Sequence, residues 1–180
     1  QLRILMNTNF SKIDIWVKVN TGMNRLGFSM DDVVMLCKQF EQSSKNNINI
    51  EGLLTHFACS DELEHDLNRK QIETFNAIRA ITRKDIAISL SNSAAILTGS
   101  AKDEWIRPGI ALYGASPFSD KIGADFGLLP AITLNSELIS TRFCLAGDTI
   151  SYGAEYICPE NMLVGVVAVG YGDGYPRHAT

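Results

Sequence analysis

Ile13-Asp-Ile-Trp-Val-Lys-Val19, followed by Asn20-Thr-Gly22, governs the reading of the whole chain. Ile13, Ile15, Val17 and Val19 recur at period two, as a strand requires, and the Asn-Thr-Gly triplet ends the run in a turn. No G-x-G-x-x-G follows this first strand, as a dinucleotide-binding sheet would need. Working outward, the pattern predicts a helix over 31–40 with Ser29 as its N-cap, and then a strand over 48–57. A longer helix is expected over 61–82, capped by Ser60, with Leu67, Ile72, Phe75, Ile78 and Ile81 at roughly helical spacing. A strand over 86–90 leads into a helix start at 91–97 with several candidate caps. A short strand, 110–113, is then bounded by Pro108, Gly109 and Gly114.

Strand and helix alternating at steps of roughly 20 to 40 residues mark repeated βαβ units on a parallel sheet. A doubly wound sheet and a (β/α)8 barrel both fit, and the missing glycine fingerprint favours the barrel. In a barrel, functional residues gather where strands end and loops begin. The polar residues at those ends are Lys18 with Asn20 and Arg25, then His56, then Ser91 with Ser93, then Arg107.

The pattern changes near residue 118. Residues 118–130 read as a connector, and 132–144, 148–156 and 163–171 as successive strands with Gly and Pro turns and no helix between them. The fold class expected is therefore α/β: the later part of a (β/α)8 barrel over 1–117, then the beginning of an all-β domain over 118–180. The chain opens in a helical phrase, Gln1-Leu-Arg-Ile-Leu-Met6, and stops inside the β-module at His178-Ala-Thr180, so both domains are expected to be incomplete.

The composition of the 180 residues is that of a soluble globular protein, 46% hydrophobic and 20% charged. A formal charge of −4 argues against non-specific nucleic-acid binding. The most apolar run, 162–169, is strand-sized and too short to span a membrane as a helix. Cys37, Cys59, Cys144 and Cys158 include no CxxC pair, and His56, His65 and His178 complete no metal-ligand group with them. Reduced thiols of a cytoplasmic protein are the expectation.

Arg107 precedes Pro108, which disfavours a helical conformation for the arginine, and Gly109 permits close backbone approach. A permanent fork donor on a stiff turn suits a ring nitrogen or a phosphate, and a surface arginine in a turn fits the spacing equally. Lys18 points away from the faces of Val17 and Val19, toward a barrel interior or toward solvent. His56 is a candidate base, stacking partner or satisfied core histidine. Tyr152, in Ile150-Ser-Tyr-Gly153, is either a packing residue or a base whose phenol needs neighbours to lower it from about 10. Gly170-Tyr-Gly-Asp-Gly-Tyr175 is expected to be a series of tight turns.

Six motifs stand in order along the chain: Val17-Lys-Val-Asn-Thr-Gly-Met-Asn-Arg-Leu-Gly27, Thr55-His-Phe57, Ser91-Asn-Ser-Ala-Ala95, Arg107-Pro-Gly-Ile-Ala-Leu-Tyr-Gly114, Ser151-Tyr-Gly153 and Val169-Gly-Tyr-Gly-Asp-Gly-Tyr175. Together they resemble the bacterial alanine racemase family. The resemblance implies pyridoxal 5'-phosphate as cofactor and interconversion of L- and D-alanine by two bases on opposite faces of the substrate. It implies D-alanine supply for peptidoglycan and a homodimer whose active sites are shared between subunits. Arg107 is similar to the arginine on the cofactor's ring nitrogen, and Ser93 with the amides of Gly109 and Ile110 to the phosphate cradle. His56 resembles the imidazole beside the ring, and Arg25 the arginine contacting the cofactor's phenolic oxygen and the substrate carboxylate. Lys18 matches a lysine carbamylated in some members. Tyr152 resembles the catalytic tyrosine, and Tyr171 is a secondary candidate.

The family's other base is the lysine that holds the cofactor, in a motif of the type Val-Lys-Ala-Asn-Ala-Tyr-Gly-His. No lysine here has that context, so the 180 residues alone are expected to be inactive. Asn20 stands where many members have Asp, Asn24 where Gly or His is common, and Ser89 where some have a histidine supporting the ring-contacting arginine. Two alternatives remain: a non-catalytic carrier of the same cofactor on a barrel of this type, and an inert structural fragment. Alanine versus serine preference is not written in these residues.

Overall fold

The computed structural model describes residues 2–7, 11–42, 47–82 and 85–176; His178 lies outside them. Among these residues the chain divides into two compact units, Gln1–Ile132 and Thr133–Thr180. The first holds three parallel strands in sequence order: β1 (Ile13–Lys18), β2 (Ile48–Leu54) and β3 (Ala87–Ser89). Helix α1 (Leu2–Asn7) precedes β1, α2 (Met30–Gln42) and α3 (Asp66–Ala80) fill the crossovers, and α4 (Ser93–Thr98) follows β3. Parallel neighbours need such crossovers because a tight turn cannot reverse the chain twice.

The core of this unit is continuous. Val17, Leu53 and Ile88 come from the strands and Val33, Leu36, Phe75 and Ile78 from α2 and α3, all buried. One irregularity interrupts the β1–β2 ladder. Ile15 pairs with Ile50 but Trp16 with Gly52, so Glu51 bulges out of the ladder. The Trp16 ring lies over Gly52, where a Cβ would come within 2.5 Å of it. Trp16 also meets the edge of Trp105, centroids 5.9 Å apart.

Caps explain the helix starts. Ser29 Oγ accepts from the Asp32 amide at 3.2 Å and donates to the Asp32 carboxylate at 2.7 Å, as expected for α2. For α3 the expectation of a start at 61 under a Ser60 cap is corrected. The helix begins at Asp66, where His65 Nδ1 accepts from the Leu67 amide. Residues 59–65 instead form turns held by the Asn68 side chain on the Cys59 and Glu62 carbonyls, while Ser60 donates to Asn92 Oδ1. Asn92 caps α4, and left-handed Gly99 (φ 64°) closes it. The strand expected over 110–113 is a 3-10 turn, Ile110–Tyr113, closed by left-handed Gly114. Among the described residues no strand is paired alongside it, so the local bonds Leu112 N to Gly109 O and Gly114 N to Ala111 O prevail. Residues 118–130 remain with the first unit: Phe118 stacks on Phe126, and the Ala131 amide bonds to the Tyr113 carbonyl.

The second unit is all-β apart from single 3-10 turns. β4 (Leu138–Cys144) pairs antiparallel with β7 (Met162–Val167), and β5 (Thr149–Ile150) with β6 (Tyr156–Ile157). The strands are shorter than expected, and the single strand expected over 148–156 is instead β5 and β6, paired with each other across a 3-10 turn. Residues 132–137 are not in a strand, and Tyr152 and Tyr171 sit in the 3-10 turns Tyr152–Ala154 and Tyr171–Asp173. Among the described residues no helix is long and apolar enough to cross a membrane, and no group of three or more His, Cys, Asp or Glu could hold a metal ion.

Candidate functional site

The carboxyl ends of the three parallel strands bring the expected cations together. Lys18 ends β1, Arg25 sits on the loop after it, His56 follows β2, and Arg107 lies on the segment that runs beside β3. Their charges act on one another. Burial first, then Arg107, Lys18 and Arg25, push the His56 imidazole below its ordinary range. Desolvation, then Arg25 and Arg107, lower the Lys18 amine. Four positive or potentially positive groups at one mouth favour an anionic ligand.

The segment 103–107 attaches to the β3 edge like an irregular extra strand. Trp105 N donates to Ile88 O and Arg107 N to Ser91 O. Asp103 fixes the register by accepting from the amides of Leu90 and Ser91 at 2.6 and 2.8 Å and from Ser91 Oγ at 2.7 Å. Arg107 is thereby directed inward. Its Nη1 donates to Ser89 Oγ and its Nη2 to the Thr55 carbonyl. Ser89 Oγ in turn donates to Trp105 O at 2.6 Å. Burial lowers the Arg107 guanidinium, and Asp103 opposes that effect. Nη2 also reaches the Leu90 carbonyl at 3.5 Å, and the Nε hydrogen, with the second one on Nη1, bonds to nothing among the described residues and is left for an acceptor. Ser89 therefore holds the arginine by hydrogen bonding.

Ser93, at the first turn of α4, accepts from the amides of Gly109 and Ala111 at 2.9 and 3.2 Å. Ser93 and the amides of Gly109 and Ile110, the expected anion cradle, thus lie together; the Gly109 amide is taken up by Ser93, and the Ile110 amide has no protein acceptor among the described residues. Gly109 is open enough that an added Cβ would meet only Ser93 Oγ, at 3.8 Å.

The loop bearing Arg25 is shaped by Asn20. Its Oδ1 accepts from the amides of Gly22 and Asn24, and its Nδ2 donates to Asn24 Oδ1 at 2.9 Å. An aspartate could not supply that last donor. Asn24 is left-handed, φ 57°, a conformation asparagine tolerates and glycine favours.

Sequence reasoning missed the buried residues beneath this mouth. Gln71 on α3 is fully buried, as is Thr55 to within 1%, and both bond to Thr21. The available signal was position: Gln71 shares the buried stripe of Phe75 and Ile78, at i+4 and i+7. Tyr152 and Tyr171 belong to the second unit and are 83% and 74% exposed. Tyr152 is flanked by left-handed Ser151 (φ 64°), Gly153 (φ 77°) and Ala154 (φ 52°), two of them non-glycine residues in a costly conformation.

The family model "Alanine racemase, N-terminal domain" matches residues 1–117, and "Alanine racemase, C-terminal domain" matches 131–180. An alanine racemase of Hahella chejuensis is 46% identical over 169 residues, covering 93% of this chain and 45% of the relative. The structure of the biosynthetic alanine racemase of Pseudomonas aeruginosa superimposes with a TM-score of 0.84 at 37% identity, over 98% of this chain and 49% of that one. The Bartonella henselae alanine racemase, solved with covalently bound pyridoxal phosphate, matches with a TM-score of 0.65 at 26% identity, over 92% of this chain and 45% of that one. The chain thus spans about half the length of the relatives it matches. Its parallel strands are those of the family's (β/α)8 barrel and its antiparallel strands those of the family's β-domain. With both family models matched in order on a barrel mouth of this charge, the chain belongs to the alanine racemase family.

Proposed function

We propose that this chain carries the anion-binding half of a pyridoxal-phosphate-dependent amino-acid racemase acting on L- and D-alanine. The observation that carries the reading is the convergence of Lys18, Arg25, His56 and Arg107, with Arg107 Nε left as an unused donor. The donor set fits the cofactor chemically. A fixed guanidinium suits a ring-nitrogen acceptor, and small Ser93 and Gly109 beside the unbonded Ile110 amide leave room and a backbone donor for a phosphate. Bound there, pyridoxal phosphate would supply an electron sink for the charge left at the substrate Cα when its proton departs.

The protein's part is then orientation and proton handling. Arg107 would accept no proton and so would hold the ring nitrogen in its unprotonated state. Arg25 would hold the substrate carboxylate, and Lys18, whose lowered affinity for protons favours the neutral amine that carbamylation requires, would once carbamylated position that arginine through its negative charge. His56, pushed toward its neutral form, would lie against the ring without adding charge. Tyr152 would carry the proton at its phenolic oxygen on one face; its exposure and the strained backbone around it support this role. In the reading, that tyrosine serves the active site of a second subunit, and the product D-alanine feeds peptidoglycan in the cytoplasm. We propose that the domain division at 117/118 marks where the connector to the β-domain begins, a connector that packs on the first unit, with Tyr171 as a secondary site residue. Because no lysine here stands in the cofactor-holding motif, these 180 residues by themselves are proposed not to racemise alanine.

Titration of the 180-residue chain with pyridoxal phosphate, followed by fluorescence quenching, tests the reading. Saturable binding is expected, weakened about tenfold or more, roughly 1.4 kcal/mol, by Arg107→Ala. Equal binding by both proteins, or alanine racemisation by the 180-residue chain, would overturn the corresponding part.

A further inference from the structure

Gln71 lies on α3, in the stripe it shares with Phe75 and Ile78, and it is fully buried. Every hydrogen-bonding atom of its amide is used. Nε2 donates to Thr21 Oγ1 at 3.0 Å and to the His56 carbonyl at 2.9 Å, and Oε1 accepts from the Ala58 amide at 2.9 Å. The direction of the amide is settled by these partners. A flipped side chain would set its NH2 against the Ala58 N–H and its oxygen against the His56 carbonyl. The chain of bonds continues in one sense only. Thr55 Oγ1 donates to the Val19 carbonyl at 3.0 Å, so Thr21 Oγ1, 2.7 Å away, donates to Thr55 and accepts from Gln71.

The partners of this amide belong to the two segments that carry functional cations. His56 and Ala58 follow β2. Thr21 starts the loop that leads to Arg25, and Gly22 beside it lies against α3, where an added Cβ would be 3.2 Å from Leu67 Cδ1 and 3.7 Å from Gln71 Cγ. Asn20 passes the constraint on, tying Gly22 to Asn24, the neighbour of Arg25. We infer that Gln71 is a positioning residue: from behind the barrel mouth, one amide sets the spacing between His56 and the Arg25 loop. The inference rests on the proposed cofactor site, although the geometry it describes does not.

The test uses the 180-residue chain with two substitutions, Gln71→Met, which conserves volume and removes all three bonds, and Thr21→Val, which cuts one arm. The chain has three histidines, so the His56 ring resonance is assigned by its loss in His56→Gln. Its NMR titration then reports whether burial and the neighbouring Arg107, Lys18 and Arg25 still act on it. In Gln71→Met, with the fold verified by circular dichroism, the His56 midpoint is expected to move up toward the ordinary histidine value. Pyridoxal phosphate affinity should fall about tenfold, and Thr21→Val should do both to a smaller extent. A folded Gln71→Met with an unchanged His56 titration overturns the inference. If Gln71→Met does not fold, Thr21→Val decides by the same two readouts. If the unsubstituted chain binds no pyridoxal phosphate, the cofactor reading fails, while a shifted His56 midpoint still supports the positioning role.

Discussion

Phe75, Ile78, Leu53 and Val33 in the first unit are fully buried against three parallel strands, whereas Leu138, Ile139, Phe143, Leu163 and Val166 in the second each keep more than half of their surface exposed. Both units have complete strand ladders, with six register pairs joining β4 to β7 and six joining β1 to β2. Ladder hydrogen bonds contribute little net stability because water competes for the same groups, so burial is what separates the two. The contrast extends to the functional groups. Arg107 and His56 are held in a buried polar frame, while Tyr152 stands out on a strained turn with no side chain bonded to it among the described residues.

The comparison can be broken most directly by truncating one aromatic in each unit. Phe75→Ala should destabilise the first unit by about 3–5 kcal/mol, and Phe143→Ala should cost less than about 0.5 kcal/mol. Urea unfolding followed by tryptophan fluorescence checks this, since both tryptophans, Trp16 and Trp105, lie in the first unit; similar losses would mean that the two units share one packed core. A smaller effect is expected at Gly27, whose φ is 123° and where a Cβ would sit 2.6 Å from the Asn20 backbone nitrogen. Gly27→Ala should cost about 1–3 kcal/mol and displace the Arg25 loop, read as weaker pyridoxal phosphate binding at unchanged secondary structure.

The smallest expected effect is a pH dependence confined to the first unit. The folded His56 binds its proton more weakly than the unfolded one, so the unfolded chain holds more protons between the lowered midpoint and about 6.5. Stability is therefore expected to fall as pH is lowered through that window, and His56→Gln should flatten the slope. Urea midpoints at several pH values would show it, and an unchanged slope would mean that His56 is not held where its neighbours can act on it.

Much of this was legible along the chain. Period-two and helical patterns located β1, β2, β3 and α2, and the cations at strand ends were recognisable because a barrel presents those ends on one face. The errors have local causes. The turns of 59–65 are rich in helix-forming residues, and only the Asn68 side chain and the His65 cap show where α3 begins. The 110–113 run has strand composition but no neighbouring strand to pair with. In the second unit two of the three expected strands are present but shorter, and the one expected over 148–156 is folded back on itself as β5 and β6, because the left-handed residues Ser151, Gly153 and Ala154 turn the chain.

The sequence by itself determined what depends on neighbours in the chain: the strand and helix periods, the Ser29 cap, the glycine-closed turns, the order of motifs that marks the family, and the identity of the charged groups. Only the tertiary structure decided how those groups are held. Arg107 reaches the carbonyl of Thr55, 52 residues away, and Gln71 reaches Thr21, 50 residues away. Such bonds have no periodic signature, because a buried polar side chain is stabilised by whichever unsatisfied group the fold brings to it. The partners of Arg107 and Gln71 exist only once three strands lie side by side.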